Sequence, residues 1–284
     1  MIQQTTLPIG KASSIFGLSR RAYYQWKHSK PIIKDNKKIF KEIHKIAFEF
    51  PKYGYRRMTK ELQRRNMLVN HKKVLEIMRD EKLLVVKKKF TPKTTQSNHQ
   101  FQKYPNLVEN FILTAINQVY VSDITYIRLL QEFVYLAIIM DLFSRRCIGW
   151  ALSRNPDTQL TLQALNMAVE LRGEKNVINC IHHSDHGVQY ASDKYVERLA
   201  EIGIMPSMGE KGYSYDNAFA ESFFKTLKNE EVWMNEYETI EDVYRNIKQF
   251  IEKVYNKKRL HSSIGYKPPI EYEKQQELNT SIGT

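Results

Sequence analysis

Apolar residues Ile39, Ile43, Ile46 and Phe50 return at intervals of three and four, the spacing of one helix face. That period predicts a helix ending at Pro51-Lys52-Tyr53-Gly54-Tyr55. A second helix is expected over Arg56 to Arg65. Asn70 is placed to cap a third, which opens His71-Lys72-Lys73, with Val69 and Val74 set as a hydrophobic staple. Nearer the start, Gly17-Leu18 suits a turn. Ser19 can then cap a helix that begins Arg20-Arg21 and carries Tyr23, Gln25 and Trp26. Both stretches read as helix-turn-helix-like units, with Tyr23 and Trp26 as core residues. From 87 to about 106 the apolar residues thin out and the period vanishes, which predicts a linker.

Beyond the linker the period changes. Gln118 to Ile127 reads as a strand with Asp123 inside it. Phe133 to Met140 reads as a second strand ending at Asp141, and Leu130-Gln131-Glu132 joins the two as a hairpin. Arg146 to Leu152 is a third strand. A helix follows from Asn155-Pro156-Asp157-Thr158, then a strand over Val177 to His183. A helix capped by Ser192, a strand over Ile204 to Met208, a glycine-bearing loop and a helix from about Asp216-Asn217 complete the series. Three strands, then helix, strand, helix, strand, helix predict an α/β domain: a mixed sheet covered by helices. The expected domains are a basic all-α unit over 1–86, a linker over 87–111, the α/β domain over 112–275 and a tail over 276–284.

Charge changes this picture. The 284-residue chain carries a net +13, and residues 1–104 hold 25 Lys and Arg against 7 Asp and Glu. The remainder holds 19 against 24, so the basic charge sits in the first third. A polyanion partner follows, because binding phosphates releases their counterions, and nucleic acid is the expected one. Arg20, Arg21, Arg56, Arg57, Lys72 and Lys73 are the candidate DNA contacts in the first domain, and Lys87-Lys88-Lys89 can lie along a backbone. Two cysteines, Cys147 and Cys180, exclude a disulfide framework and favour a reducing cytoplasm. No apolar run reaches the roughly 20 residues of a membrane span, and the first residues lack a signal-peptide core.

The candidate chemistry lies in the acids. Asp123 sits on the first strand, Asp185 just past the fourth, and Glu221 on the helix after the fifth. A carboxylate within an apolar strand is costly unless compensated, and a divalent cation compensates it. Two cations held by about three carboxylates can activate a nucleophile and stabilise a leaving oxygen in phosphoryl displacement. Oxygen ligands without thiolates favour Mg²⁺, with Mn²⁺ able to substitute. In His182-His183-Ser184-Asp185-His186 two other readings compete. Zinc held by His182, His183 and His186 is weakened because adjacent strand residues face opposite ways. A Ser184, His183 and Asp185 hydrolase triad lacks a nucleophile elbow. With Asp185 as the metal ligand, His183 or His186 sits in its outer shell or touches DNA, and Gly187 admits close backbone approach.

These residues stand in wording that resembles a known family. Asp123 in "SDITYI", Asp185 in "HSDHGVQY" and Glu221 in "DNAFAESFFKTLKNE" resemble the DDE triad of the retroviral-integrase superfamily. Between Asp185 and Glu221 lie 35 residues, the gap characteristic of that superfamily. "YGYRRMTKEL", "VNHKKVL", "MDLFSRRCIGW" and "YNKKRLHSSIGYKPP" resemble the OrfB transposases of bacterial insertion sequences across nearly the whole chain. One departure is Tyr120, where the group usually has Trp. The resemblance implies an RNase H-like catalytic domain. It also implies DNA strand cleavage and transfer, with water and then a 3′ hydroxyl attacking a phosphodiester. Insertion-sequence ends and target DNA are the implied partners, with a homo-oligomer in the DNA complex and an upstream OrfA-type protein as possible associates.

Lys225 and Lys228 fall at i+4 and i+7 from Glu221, on one helix face, while Ala220, Phe224 and Leu227 point to the core. Both lysines are candidate contacts to the scissile DNA, and the family's basic residue seven after the glutamate matches Lys228. The competing reading is an exposed Glu–Lys ladder. Asp141 is either a helper acid or a strand-terminating turn, and Asp216-Asn217 a helix cap first and near-site groups second. Asn256, Arg259 and His261 either reach DNA or belong to a charged loop after a helix over Val243 to Val254. Tyr266-Lys267-Pro268-Pro269 is expected to be extended. A regulator with an inactive nuclease-like domain and a nuclease without joining activity are the rival functions.

Overall fold

A computed structural model of the chain describes residues 36–85, 104–209 and 218–282, together with Ile15, Gly17, Ser19 and Tyr24. Arg20, Arg21, Tyr23, Trp26, Lys87, Lys88, Lys89, Asp216 and Asn217 lie outside the described residues, as does the loop after Gly209. The chain divides into two compact units, residues 1–85 and 86–284.

The first unit is helical. Helix α1 spans Asn36–Glu49, α2 Tyr55–Arg64 and α3 His71–Asp80. The expected stripe of Ile39, Ile43, Ile46 and Phe50 is buried, and it meets Met58, Leu62, Val74 and Met78 in one apolar interior. Asn70 caps α3 as its sequence position requires, its Oδ1 accepting from the Lys72 N–H at 2.9 Å. Val69 and Val74 are both buried at that end.

The second unit is built on five strands: β1 Val119–Arg128, β2 Phe133–Asp141, β3 Cys147–Ser153, β4 Ile181–Ser184 and β5 Met205–Met208. Their order is β3-β2-β1-β4-β5. β1, β2 and β3 form antiparallel pairs, while β4 and β5 run parallel to β1. The mixed sheet predicted from the pattern is therefore present. Helices α4 Thr158–Arg172, α5 Val188–Ala191 and α6 Asp193–Glu201 follow in the chain, then α7 Ala218–Glu230, α8 Ile240–Gln249 and α9 Pro269–Ile282. A π-helical turn, Phe250–Tyr255, extends α8.

Alternation along β1 decides which helix packs where. Val119, Val121 and Ile127 join Ala220, Phe223, Phe224 and Leu227 of α7 on one face, with Val243 and Ile247 of α8. Tyr120 joins Leu160, Leu165 and Ala168 of α4 and Tyr195 and Leu199 of α6 on the other. β3 and α4 come unusually close: a Cβ at Gly149 would lie 2.1 Å from the Ala164 carbonyl oxygen and 2.9 Å from the Ala168 Cβ.

Two features differ from the sequence expectations, while Asp141 takes the strand-terminating turn role that the sequence offered. β4 is shorter than Val177–His183, because Glu174–Asn176 is a 3₁₀ turn and Asn179 adopts a left-handed φ of 65°. The stretch Pro269–Ile282 is helical, where the sequence pattern assigned an extended segment only to 266–269, no element to 270–275 and a tail to 276–284. Asp141 is a buried turn hub. Its carboxylate accepts from the N–H groups of Asn117, Phe143 and Ser144 and faces Arg172. Arg172 and Arg146 in turn grip Glu273 of α9, which fastens that helix to the sheet. Burial alone would raise Glu273, but the two guanidiniums hold its carboxyl below the usual range.

Candidate active site

The strand register brings the first two acids together. β1 and β4 pair as Val119↔Ile181, Tyr120↔His182 and Val121↔His183. Asp123 and Asp185 each follow two residues later. Period-2 alternation therefore returns both to the face of Val121, which α7 covers. β4 ends at Ser184, so Asp185 already lies in the turn beyond it. Its Oδ1 accepts from the Gly187 N–H at 3.0 Å. A Cβ at Gly187 would meet that same oxygen at 2.9 Å, so only glycine leaves the carboxylate undisturbed there.

Glu221 supplies the third acid from the first turn of α7, where it is exposed while Ala220, Phe223 and Phe224 are buried. The charges of the other two acids act on Asp123. This half-buried carboxyl is pushed up to about 8, first by desolvation, then by the charges of Asp185 and Glu221. The Ile124 N–H, donating to Asp123 Oδ1 at 2.8 Å, and the Lys228 charge oppose the rise. Among the described residues, no three His, Cys, Asp or Glu side chains close into a finished metal shell. The charges of Asp185 and Glu221 act on Asp123, but the three carboxylates are not grouped closely enough to hold a metal ion as they stand.

Lys228 lies on the same flank of α7 as Glu221, two turns on. It is half-buried, and its Nζ stands 4.7 Å from the Tyr126 ring centroid. Burial lowers its pKa, and the Asp123 charge opposes that. Lys225 is exposed on the adjoining face.

The histidines separate as adjacent strand residues must. His182 is buried on the α6 side with Nε2 2.9 Å from the Tyr195 hydroxyl, and burial, then His183, pushes it down to about 3. It is a neutral core residue. His183 Nδ1 lies 2.9 Å from Ser207 Oγ, which also accepts from the Leu107 N–H at 2.9 Å. These separate partners dispose of a zinc trio.

In the first unit Arg56 and Lys72 are exposed, and Arg57 and Lys73 half-buried. Lys73 Nζ sits 2.7 Å from Glu76 Oε1 in a solvent-facing pair. Arg56 and Arg57 lie against the rings of Tyr55 and Tyr53, at 5.7 and 5.9 Å. Arg259 corrects an expectation. Instead of offering a surface contact to DNA it is 3% exposed, donating through Nε and Nη2 to both Glu230 oxygens at 2.8 Å. Asn256 is likewise buried, bracketing the backbone N–H and C=O of Cys147. Sequence reasoning passed over Tyr126, an aromatic three residues after Asp123 that touches Lys228.

A 3-2-1-4-5 mixed sheet flanked by helices is an RNase H-like fold, and the three acids stand on its first strand, beyond the neighbouring parallel strand and on the covering helix. Family models agree. An "Integrase core domain" model matches residues 114–214, a second of the same description matches 202–269, and an "HTH-like domain" model matches 34–90. The chain is 35% identical to the transposase for insertion sequence element IS904 of Lactococcus lactis, over 84% of this chain and 94% of that one. It is 32% identical to the transposase InsF for insertion sequence IS3A of Escherichia coli, over 95% of each. It is also 34% identical to an insertion element IS600 protein of Shigella sonnei, over 92% of this chain and 97% of that one. The chain belongs to the insertion-sequence transposases of the DDE, retroviral-integrase superfamily, and is a DNA transposase, a polynucleotidyl transferase.

Proposed function

We propose that this transposase binds the ends of its insertion sequence through the basic first unit, and cuts and joins DNA at Asp123, Asp185 and Glu221. The observation that carries the reading is the β1–β4 register, which sets Asp123 and Asp185 at matched positions beside the face that α7, bearing Glu221, covers; burial and then the charges of the other two acids push Asp123 up to about 8. Such a set of acids has too much negative charge for its surroundings, and a hard divalent cation restores the balance. All three donors are carboxylate oxygens, which suits Mg²⁺ or Mn²⁺. Two such ions would supply charge neutralisation and an activated attacking oxygen for in-line displacement.

The remaining work falls to the chain. Asp123 fixes one wall of the site from a rigid strand, and the turn at Gly187 aims Asp185. Glu221 reaches in from α7. Lys228 presents an ammonium beside the carboxylates, where a non-bridging oxygen of the scissile phosphate would come to rest. Arg56, Arg57, Lys72 and Lys73, with Lys225 on the second unit, contact the DNA backbone. Arg20 and Arg21 extend that set. Joining two ends requires more than one copy, so the working form is a homo-oligomer on DNA, alone or with an OrfA-type partner.

The test uses the full chain, a labelled duplex of the insertion-sequence end, and Mg²⁺ or Mn²⁺. Joined products are expected. Cuts alone would indicate a nuclease, and mobility shifts alone a DNA-binding regulator. Asp123→Asn, Asp185→Asn and Glu221→Gln should each abolish joining while leaving end-binding nearly intact. Joining retained by any of the three removes that residue from the site.

A further inference from the structure

Lys228 has an unusual lodging. β4 pairs with β1 only as far as Val121, so beyond that point β1 has no β4 partner on that side. Tyr126 lies in this stretch. By alternation its side chain belongs to the face opposite α7, yet the Lys228 ammonium stands 4.7 Å from its ring centroid. Lys228 therefore reaches across the unpaired edge to the ring. The ring itself is held edge-on by Phe133 of β2, with centroids 5.5 Å apart and planes at 84°. Among the described residues no carboxylate forms an ion pair with Lys228, although the Asp123 charge acts on it.

Two opposing demands meet there. An ammonium on which the Asp123 charge acts is drawn to pair with it, which would neutralise an acid needed for a cation and spend the charge needed for a phosphate. An aromatic face attracts the ammonium without offering it a counter-charge. We infer that Tyr126 is a positioning residue for catalysis: its ring holds the Lys228 ammonium where the Asp123 charge acts on it without pairing the two, so that neither neutralises the other. The inference rests on the site assignment proposed above. It uses the ring face and not the phenol oxygen, so Tyr126→Phe should keep joining within about twofold, whereas Tyr126→Leu should lose roughly tenfold.

Shape and charge distribution can be separated at this position. Phenylalanine bearing one, two or three fluorines keeps the ring's outline while draining its negative face. In the full chain, joining should fall stepwise along that series. A structural role for the ring would leave the series flat. The second measurement needs neither metal nor DNA: reductive ¹³C-methylation of the lysines, with the Lys228 resonance assigned by its loss in Lys228→Arg. That resonance should be ring-current shifted in the parent and in Tyr126→Phe, and move to the bulk lysine position in Tyr126→Leu. A flat fluorine series, or an unshifted Lys228 resonance in the parent, overturns the inference. Should Asp123→Asn still join DNA, the site assignment fails. Should it fail to join while the fluorine series is flat, only the role of Tyr126 is lost.

Discussion

Asp123 carries a large electrostatic strain in the proposed site. Its folded carboxyl titrates near 8, against about 4 for an unfolded aspartate. Between those values the folded chain keeps a proton that the unfolded chain has released. Stability of the metal-free protein therefore falls as pH rises from about 4 to 8, and the full penalty is present above 8. Asp123→Asn removes the ionising group. Its thermal midpoint should exceed that of the parent at pH 8 and match it at pH 4. Mg²⁺ should stabilise the parent more at pH 8 than at pH 5 and do little for the variant. Equal pH profiles for the two proteins would show that burial and neighbouring acids do not act on Asp123 as described. At this scale the sequence was informative, because acids in apolar surroundings advertise themselves. Arg259 was not legible: nothing in "NKKRLHSS" announces that Glu230, 29 residues earlier, takes its guanidinium.

Between elements, packing tolerances set the stakes. Gly149 lets β3 lie against α4, and a methyl group there would sit 2.1 Å from the Ala164 carbonyl oxygen. Backbone must shift to admit it, so Gly149→Ala should cost roughly 1–3 kcal/mol in denaturant unfolding. An unchanged midpoint would show that the two elements can separate freely. The strands and α4 were readable because their apolar periods are long. β4 was overextended, since Val177 and Cys180 are as apolar as a strand although the chain there is turning. α9 was missed because its stability is tertiary. Two prolines and a polar sequence conceal a helix held by the grip of Arg146 and Arg172 on Glu273.

Across the whole molecule, charge is divided as the proposed work is. The first 104 residues carry a large positive excess, while the remainder is mildly acidic. End-binding should therefore weaken steeply with salt, through the first unit. Lys72→Ala and Lys73→Ala, made in the full chain, should each lower affinity similarly on any duplex and reduce the salt slope by about 1. An unaltered slope would take those lysines off the DNA. Lys73 gives up only an exposed pair with Glu76 to make such a contact, and pairs of that kind contribute little.

The alignment of β1 with β4 has a genetic consequence. Because β4 feeds directly into the turn that holds Asp185, adding or removing one codon between Cys180 and Ser184 should shift Asp185 out of register with Asp123 while leaving every acid present in the reading frame. On the proposed site assignment, such an element would encode an intact-looking protein that should fail to join DNA, a lesion that inspection of the three acidic letters alone would overlook.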